Sequence, residues 1–147
     1  MSYIKEIAGV FVSHSKNFTI KNNIFDNVFY GIILQRVNWG IIKDNKVSGS
    51  AKNESSSGNG IHVWKSKNIR IENNTVSGMR DGIYLEFVNK SFVSNNTSKK
   101  NIRYGLHFMF SHYNEYHHNE FRKNGAGVAV MFSKHIKMYF NTFHYNW

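Results

Sequence analysis

The segment "RYGLHFMFS", Arg103 to Ser111, sets a histidine and a methionine two residues apart in an apolar run, and "VAVMFS" adds Met131 further along. Thioether sulfur is a soft donor that favours Cu(I), and imidazole suits copper as well. His107, Met109 and Met131 on one face could hold a cuprous ion in a low-coordinate site, with His62 and Glu86 as further candidates. The competing reading is an apolar contact patch in which methionine is adaptable filler. From spacing alone packing is the commoner use of such residues. His112, His117, His118, His135 and His144 crowd the C-terminal region with His107. Of these, "YHHNEF" reads as an adventitious divalent-ion contact, with His118 a turn residue. Met138 reads as core, Met1 as the initiator, and Met79 as an unassigned loop residue.

Whether those side chains meet depends on a repeat. Aligned on glycine, six blocks start at Gly9, Gly31, Gly60, Gly82, Gly105 and Gly127, with separations of 22, 29, 22, 23 and 22 residues. One step on come Val10, Ile32, Ile61, Ile83, Leu106 and Val128; three steps on come Val12, Leu34, Val63, Leu85, Phe108 and Val130. Such alternation marks a strand with one buried face. Eleven steps on, Ile20, Ile42, Ile71, Val93, Tyr116 and Met138 mark a second strand. Fourteen steps on stands asparagine every time: Asn23, Asn45, Asn74, Asn96, Asn119 and Asn141. Stacked amides can hydrogen-bond from coil to coil in a ladder. The pattern predicts an all-β, right-handed parallel β-helix over 1–147, a single domain of about six coils. The glycines are expected at turns needing a small or left-handed residue. The long interval holds "SGSAKNESSSGN", read as an extruded loop near 48–59. Neither end supplies an evident cap, so the chain reads as part of a longer solenoid.

Positions two and four of the first strand then point outward. They carry His62, Tyr84 and His107 in one column and Trp64, Glu86, Met109 and Met131 in the next. His107 and Met109 are expected about 7 Å apart, with Met131 one coil, about 4.8 Å, from Met109.

Composition narrows the alternatives. With no cysteine among 147 residues, disulfides and thiolate chemistry are excluded. The net charge of +10 comes from lysines scattered singly, so no nucleic-acid footprint is expected. Glycoside hydrolysis needs two carboxylates about 5 to 9.5 Å apart. The nine acids seldom share a face, with Asp81 and Glu86 the nearest pair, so a paired-acid enzyme is not expected. Outward Trp64 and Tyr84 keep a carbohydrate-binding or carbohydrate-active reading open. A metal-free docking scaffold is the third reading.

"RDGIYLEF" (Arg80–Phe87), "RYGLHFMFSH" (Arg103–His112) and "GAGVAVMFSK" (Gly125–Lys134) fall on consecutive coils, and together they resemble the NosD family. These are periplasmic β-helix proteins required to mature nitrous oxide reductase. The resemblance implies a non-catalytic Cu(I)-binding and transfer protein and a periplasmic location. It implies three partners: a membrane-anchored copper chaperone, nitrous oxide reductase, and the membrane subunit of an ABC transporter. Carried over by motif position, His107, Met109 and Met131 are the implied ligand positions. The chain departs from the family in showing no export-signal order and fewer coils.

Overall fold

The computed structural model describes residues 7–147; Met1 and Glu6 lie outside the described residues. The chain winds through parallel coils whose registers follow the repeat. Val10, Ile32, Ile61, Ile83, Leu106 and Val128 lie side by side on successive coils. The first two faces join into one 11-stranded sheet because Ile61–Glu72 runs through the corner that breaks the other coils. A third face is a six-stranded sheet of short strands, from Ile24–Phe25 to Thr142–His144. The alternating Val, Ile, Leu and Phe point inward, and Ile32, Leu34, Ile42, Ile61, Ile71, Phe108 and Phe121 are fully buried. Each such side chain contributes about 1.5–3 kcal/mol by leaving water. Met138 lies in register beneath Tyr116 but stands 61% exposed on the last coil.

The repeating glycines are not at left-handed turns. Among the described residues the only glycine with positive φ is Gly78. Gly31, Gly60, Gly82 and Gly105 lie at strand starts, where an added Cβ would come within 2.5–2.7 Å of the next coil's carbonyl oxygen. Close approach of stacked backbones, rather than turn conformation, selects glycine there. The left-handed corners belong instead to residues such as Arg36, Lys65, Phe87 and Phe110, and to Asn22, Asp44, Asn73, Asn95 and His118, at φ 48 to 59°. Asparagine and aspartate tolerate that region best. His118 is a turn residue, as expected.

The asparagine ladder forms. Asn45 Nδ2 donates to Asn74 Oδ1 at 3.1 Å, Asn74 Nδ2 to Asn96 Oδ1 at 3.0 Å, and Asn96 Nδ2 to Asn119 Oδ1 at 3.1 Å. Each Oδ1 also accepts the backbone N–H of the preceding ladder residue. The amide thereby satisfies donors at a corner where sheet pairing is interrupted. A second ladder, Asn101–Asn124–Asn146, occupies another corner. Three members are too few to stand out from an asparagine-rich background.

The 48–59 segment is only partly extruded. Lys52 to Ser56 are exposed, and Asn53 caps a short 3-10 turn, Glu54–Ser56. Ser57, Gly58 and Asn59 are buried, because this end of the loop docks on the following coil: Gly58 O accepts from Arg80 N, and Asn59 Oδ1 from Asp81 N. Met79 is a core residue, 1% exposed.

Candidate functional site

The first face brings the expected columns together. His62, Tyr84, His107 and Ala129 pair in register, as do Trp64, Glu86, Met109 and Met131. The degree of exposure differs from expectation. His62 and His107 are only 7% and 3% exposed, whereas Tyr84, Trp64, Glu86, Met109 and Met131 are half-buried. Aromatic rings close over the histidine column. Tyr30 meets His62 edge-on at 5.6 Å, Tyr84 lies 5.0 Å from both histidines, and Tyr104 packs edge-on against His107 at 4.8 Å. Outward Cβ direction does not give exposure where a neighbouring arm folds back.

His107 is the centre of the group. Its Nδ1 lies 3.2 Å from Asp81 Oδ2, and Asp81 is fully buried. Arg103 grips the same carboxylate in a fork, Nε to Oδ1 at 2.9 Å and Nη2 to Oδ2 at 2.6 Å. Burial alone would raise the Asp81 pKa, but hydrogen bonds from His107 and Arg103, with their charges, hold it below the usual carboxylate value. Facing an ionised carboxylate, His107 Nδ1 carries the proton. In its neutral form the ring presents a lone pair at Nε2, which is buried and has no hydrogen-bond partner. A buried polar atom without a partner costs about 1–3 kcal/mol unless a ligand uses it. Carboxylate–histidine pairing of this kind orients metal-ligating imidazoles and raises their basicity.

His62 is different. Asn59 Oδ1 accepts from Asp81 N at 3.2 Å and Arg80 Nε at 3.4 Å, which fixes the amide so that Nδ2 donates to His62 Nδ1 at 3.0 Å. The accepting Nδ1 is occupied, and in the neutral ring Nε2 carries the proton. His62 therefore presents no free lone pair in this arrangement, unlike His107. Burial, and then the charge of Arg80, lower its pKa from 6.5 to about 4. The unfolded chain therefore binds the proton more tightly, and stability falls as pH drops from 6.5 through 4. The full effect is about 3 kcal/mol. His62→Phe should remove most of this slope; urea unfolding at pH 7 and pH 4.5 measures it, and an unchanged slope would refute the assignment.

Glu86 is also engaged, accepting from Tyr84 Oη at 2.5 Å. Trp64 carries two cations, with Lys65 Nζ 4.4 Å and the Arg36 guanidinium 5.5 Å from its ring. Among the described residues no three His, Cys, Asp or Glu side chains gather in metal-binding geometry. A metal on this face would therefore need the sulfurs of Met109 and Met131 beside His107. Asp81, Arg103 and Asn59 had no assigned role in the sequence. The available signal was the residue preceding each repeat glycine: Asn59 and Asp81 are polar there, and polar side chains at a buried coil start need partners.

Fold and site define a parallel β-helix with a buried carboxylate–histidine pair on its first face. The chain belongs to the right-handed β-helix family, whose description "right handed beta helix region" matches residues 8–147. Among solved structures it is similar to a mutant form of the periplasmic alginate epimerase AlgG, with 17% identity and a TM-score of 0.81 over 92% of this chain. A second AlgG structure gives 18% identity and a TM-score of 0.73 over 90%. The chain spans 36% of the length of each. The comparison with curated proteins gave no match.

Proposed function

We propose that this chain is a non-catalytic Cu(I)-binding and transfer protein. The observation that supports the reading is His107, whose Nδ1 proton is fixed on Asp81 while Nε2 lies buried without a partner. Met109 and Met131, paired in register beside it, would supply soft sulfur. Three ligands leave a coordination position for exchange with an acceptor. Loading would require the Tyr104 or Tyr84 ring to swing away from Nε2, since both pack against His107. The resemblance to the NosD family extends the proposal: a periplasmic location, a membrane-anchored chaperone as donor, nitrous oxide reductase as acceptor, and an ABC transporter as companion.

Anaerobic titration with Cu(I) against a competing chelator tests this. The expected result is one-to-one binding, weakened by about tenfold or more in His107→Ala and in Met109→Leu/Met131→Leu. Equal affinity in both variants would refute the site. A folded chain that binds no Cu(I) would make the face a docking surface.

A carbohydrate-active reading rests on a separate observation. A histidine held by a buried carboxylate, with Arg103, Tyr84 and Tyr104 around it, is also the arrangement of a general base. Oligosaccharide turnover lost in His107→Ala, without copper, would favour it.

A further inference from the structure

The second face carries an arrangement that the His107 site does not use. Adjacent side chains of a strand normally point to opposite sides. His117 ends the strand His112–His117, and His118 follows at φ 56°, in the left-handed region. That corner cancels the alternation and turns both imidazoles the same way. Their Nδ1 atoms lie 2.8 Å apart, and neither ring has another hydrogen-bond or ion-pair partner among the described residues. The next coil backs them: Tyr139 stacks on His117 at 4.8 Å and 9°, and Phe140 lies 5.3 Å from His118. Tyr139 Oη also donates to Glu115 Oε1 at 3.0 Å.

We infer that His117 and His118 form a chelating site for a tetragonal divalent metal ion, of the Cu²⁺ or Ni²⁺ class. Two nitrogens each about 2.0 Å from a metal at a right angle are about 2.8 Å apart. The observed 2.8 Å is the length of the hydrogen bond between the rings, so a small rotation of each ring lets an ion take the place of the shared proton. Imidazole nitrogen in square-planar or tetragonal geometry suits Cu²⁺ and Ni²⁺. In the free protein one Nδ1–H donates to the other ring. On binding, that proton moves to Nε2 of its own ring, and both Nδ1 lone pairs face the ion with no net proton release. His118 is half of the chelate, and its position also offers a clean substitution. The corresponding corners of other coils hold Asn22, Asp44, Asn73 and Asn95, so His118→Asn preserves the backbone requirement.

The whole chain would be titrated with Cu²⁺, followed by electron paramagnetic resonance and calorimetry. The expected signal is tetragonal with two equivalent nitrogens. Affinity should fall about tenfold or more in His118→Asn, with unchanged thermal unfolding in chelator, while His135→Asn binds as before. Zn²⁺ should bind more weakly than Cu²⁺. Undiminished Cu²⁺ affinity in His118→Asn, or a one-nitrogen signal in the unsubstituted chain, would overturn the assignment.

Discussion

Asp81→Asn should lower the unfolding free energy by about 3 kcal/mol, near the low end for breaking a buried ion pair. The low end applies because Arg103 is 29% exposed and can turn to water. His107 cannot, since its side chain is 4% exposed. The amide cannot reproduce a forked carboxylate with a third donor on Oδ2, so the His107 tautomer loses its anchor. Cu(I) affinity should fall by about 10- to 100-fold, as when an outer partner of a ligating histidine is removed. The pH signature is distinct from that of His62. Asp81 has a depressed folded-state pKa, so its contribution is present above the ordinary value of 3.8 and is lost as pH falls through the folded value. Asp81→Asn should therefore flatten the stability profile below pH 3.8, while the His62 slope persists and extends to lower pH, because the Asp81 charge raises the His62 pKa. Denaturant midpoints across pH, with ¹⁵N shifts of the His107 ring, check both. A variant with full stability and an unchanged His107 tautomer would remove Asp81 from the site.

Asn96→Ala should be at least as costly, for a reason unrelated to charge. Its side chain accepts from Asn74 N at 2.8 Å and Asn74 Nδ2 at 3.0 Å, and donates to Ile71 O at 2.9 Å and Asn119 Oδ1 at 3.1 Å. Four bonds are lost at a site 1% exposed, and Asn74 N is left without an acceptor. At about 1 kcal/mol each the loss is about 4 kcal/mol. Asn141→Ala provides the contrast. Asn141 serves the same ladder on the last coil but is half-buried, so water replaces the missing partners and the loss should be about 1 kcal/mol. Denaturation of both variants, with amide exchange at Asn74, distinguishes them. Equal losses would mean that the ladder is decorative and that apolar stacking alone carries the coil.

Much of this was determined by the sequence itself. The 22-residue spacing, the inward Val/Ile/Leu series and the asparagine fourteen steps after each glycine specify stacked parallel coils, because each of these signals is periodic. Periodicity also put His62, Tyr84 and His107 in one column and Met109 beside Met131, since coil register follows directly from the repeat. Tertiary structure decided what is not periodic. The arms around Asp81 and Arg103, and the loop end at Asn59, fold over the column, burying His107 and occupying His62. Burial depends on what lies above a side chain, and strand alternation reports only which way it points. The ion pair and the convergence of His117 with His118 arise from single side chains at irregular corners. The reason for the repeating glycines was likewise tertiary, because the obstructing carbonyl belongs to the neighbouring coil.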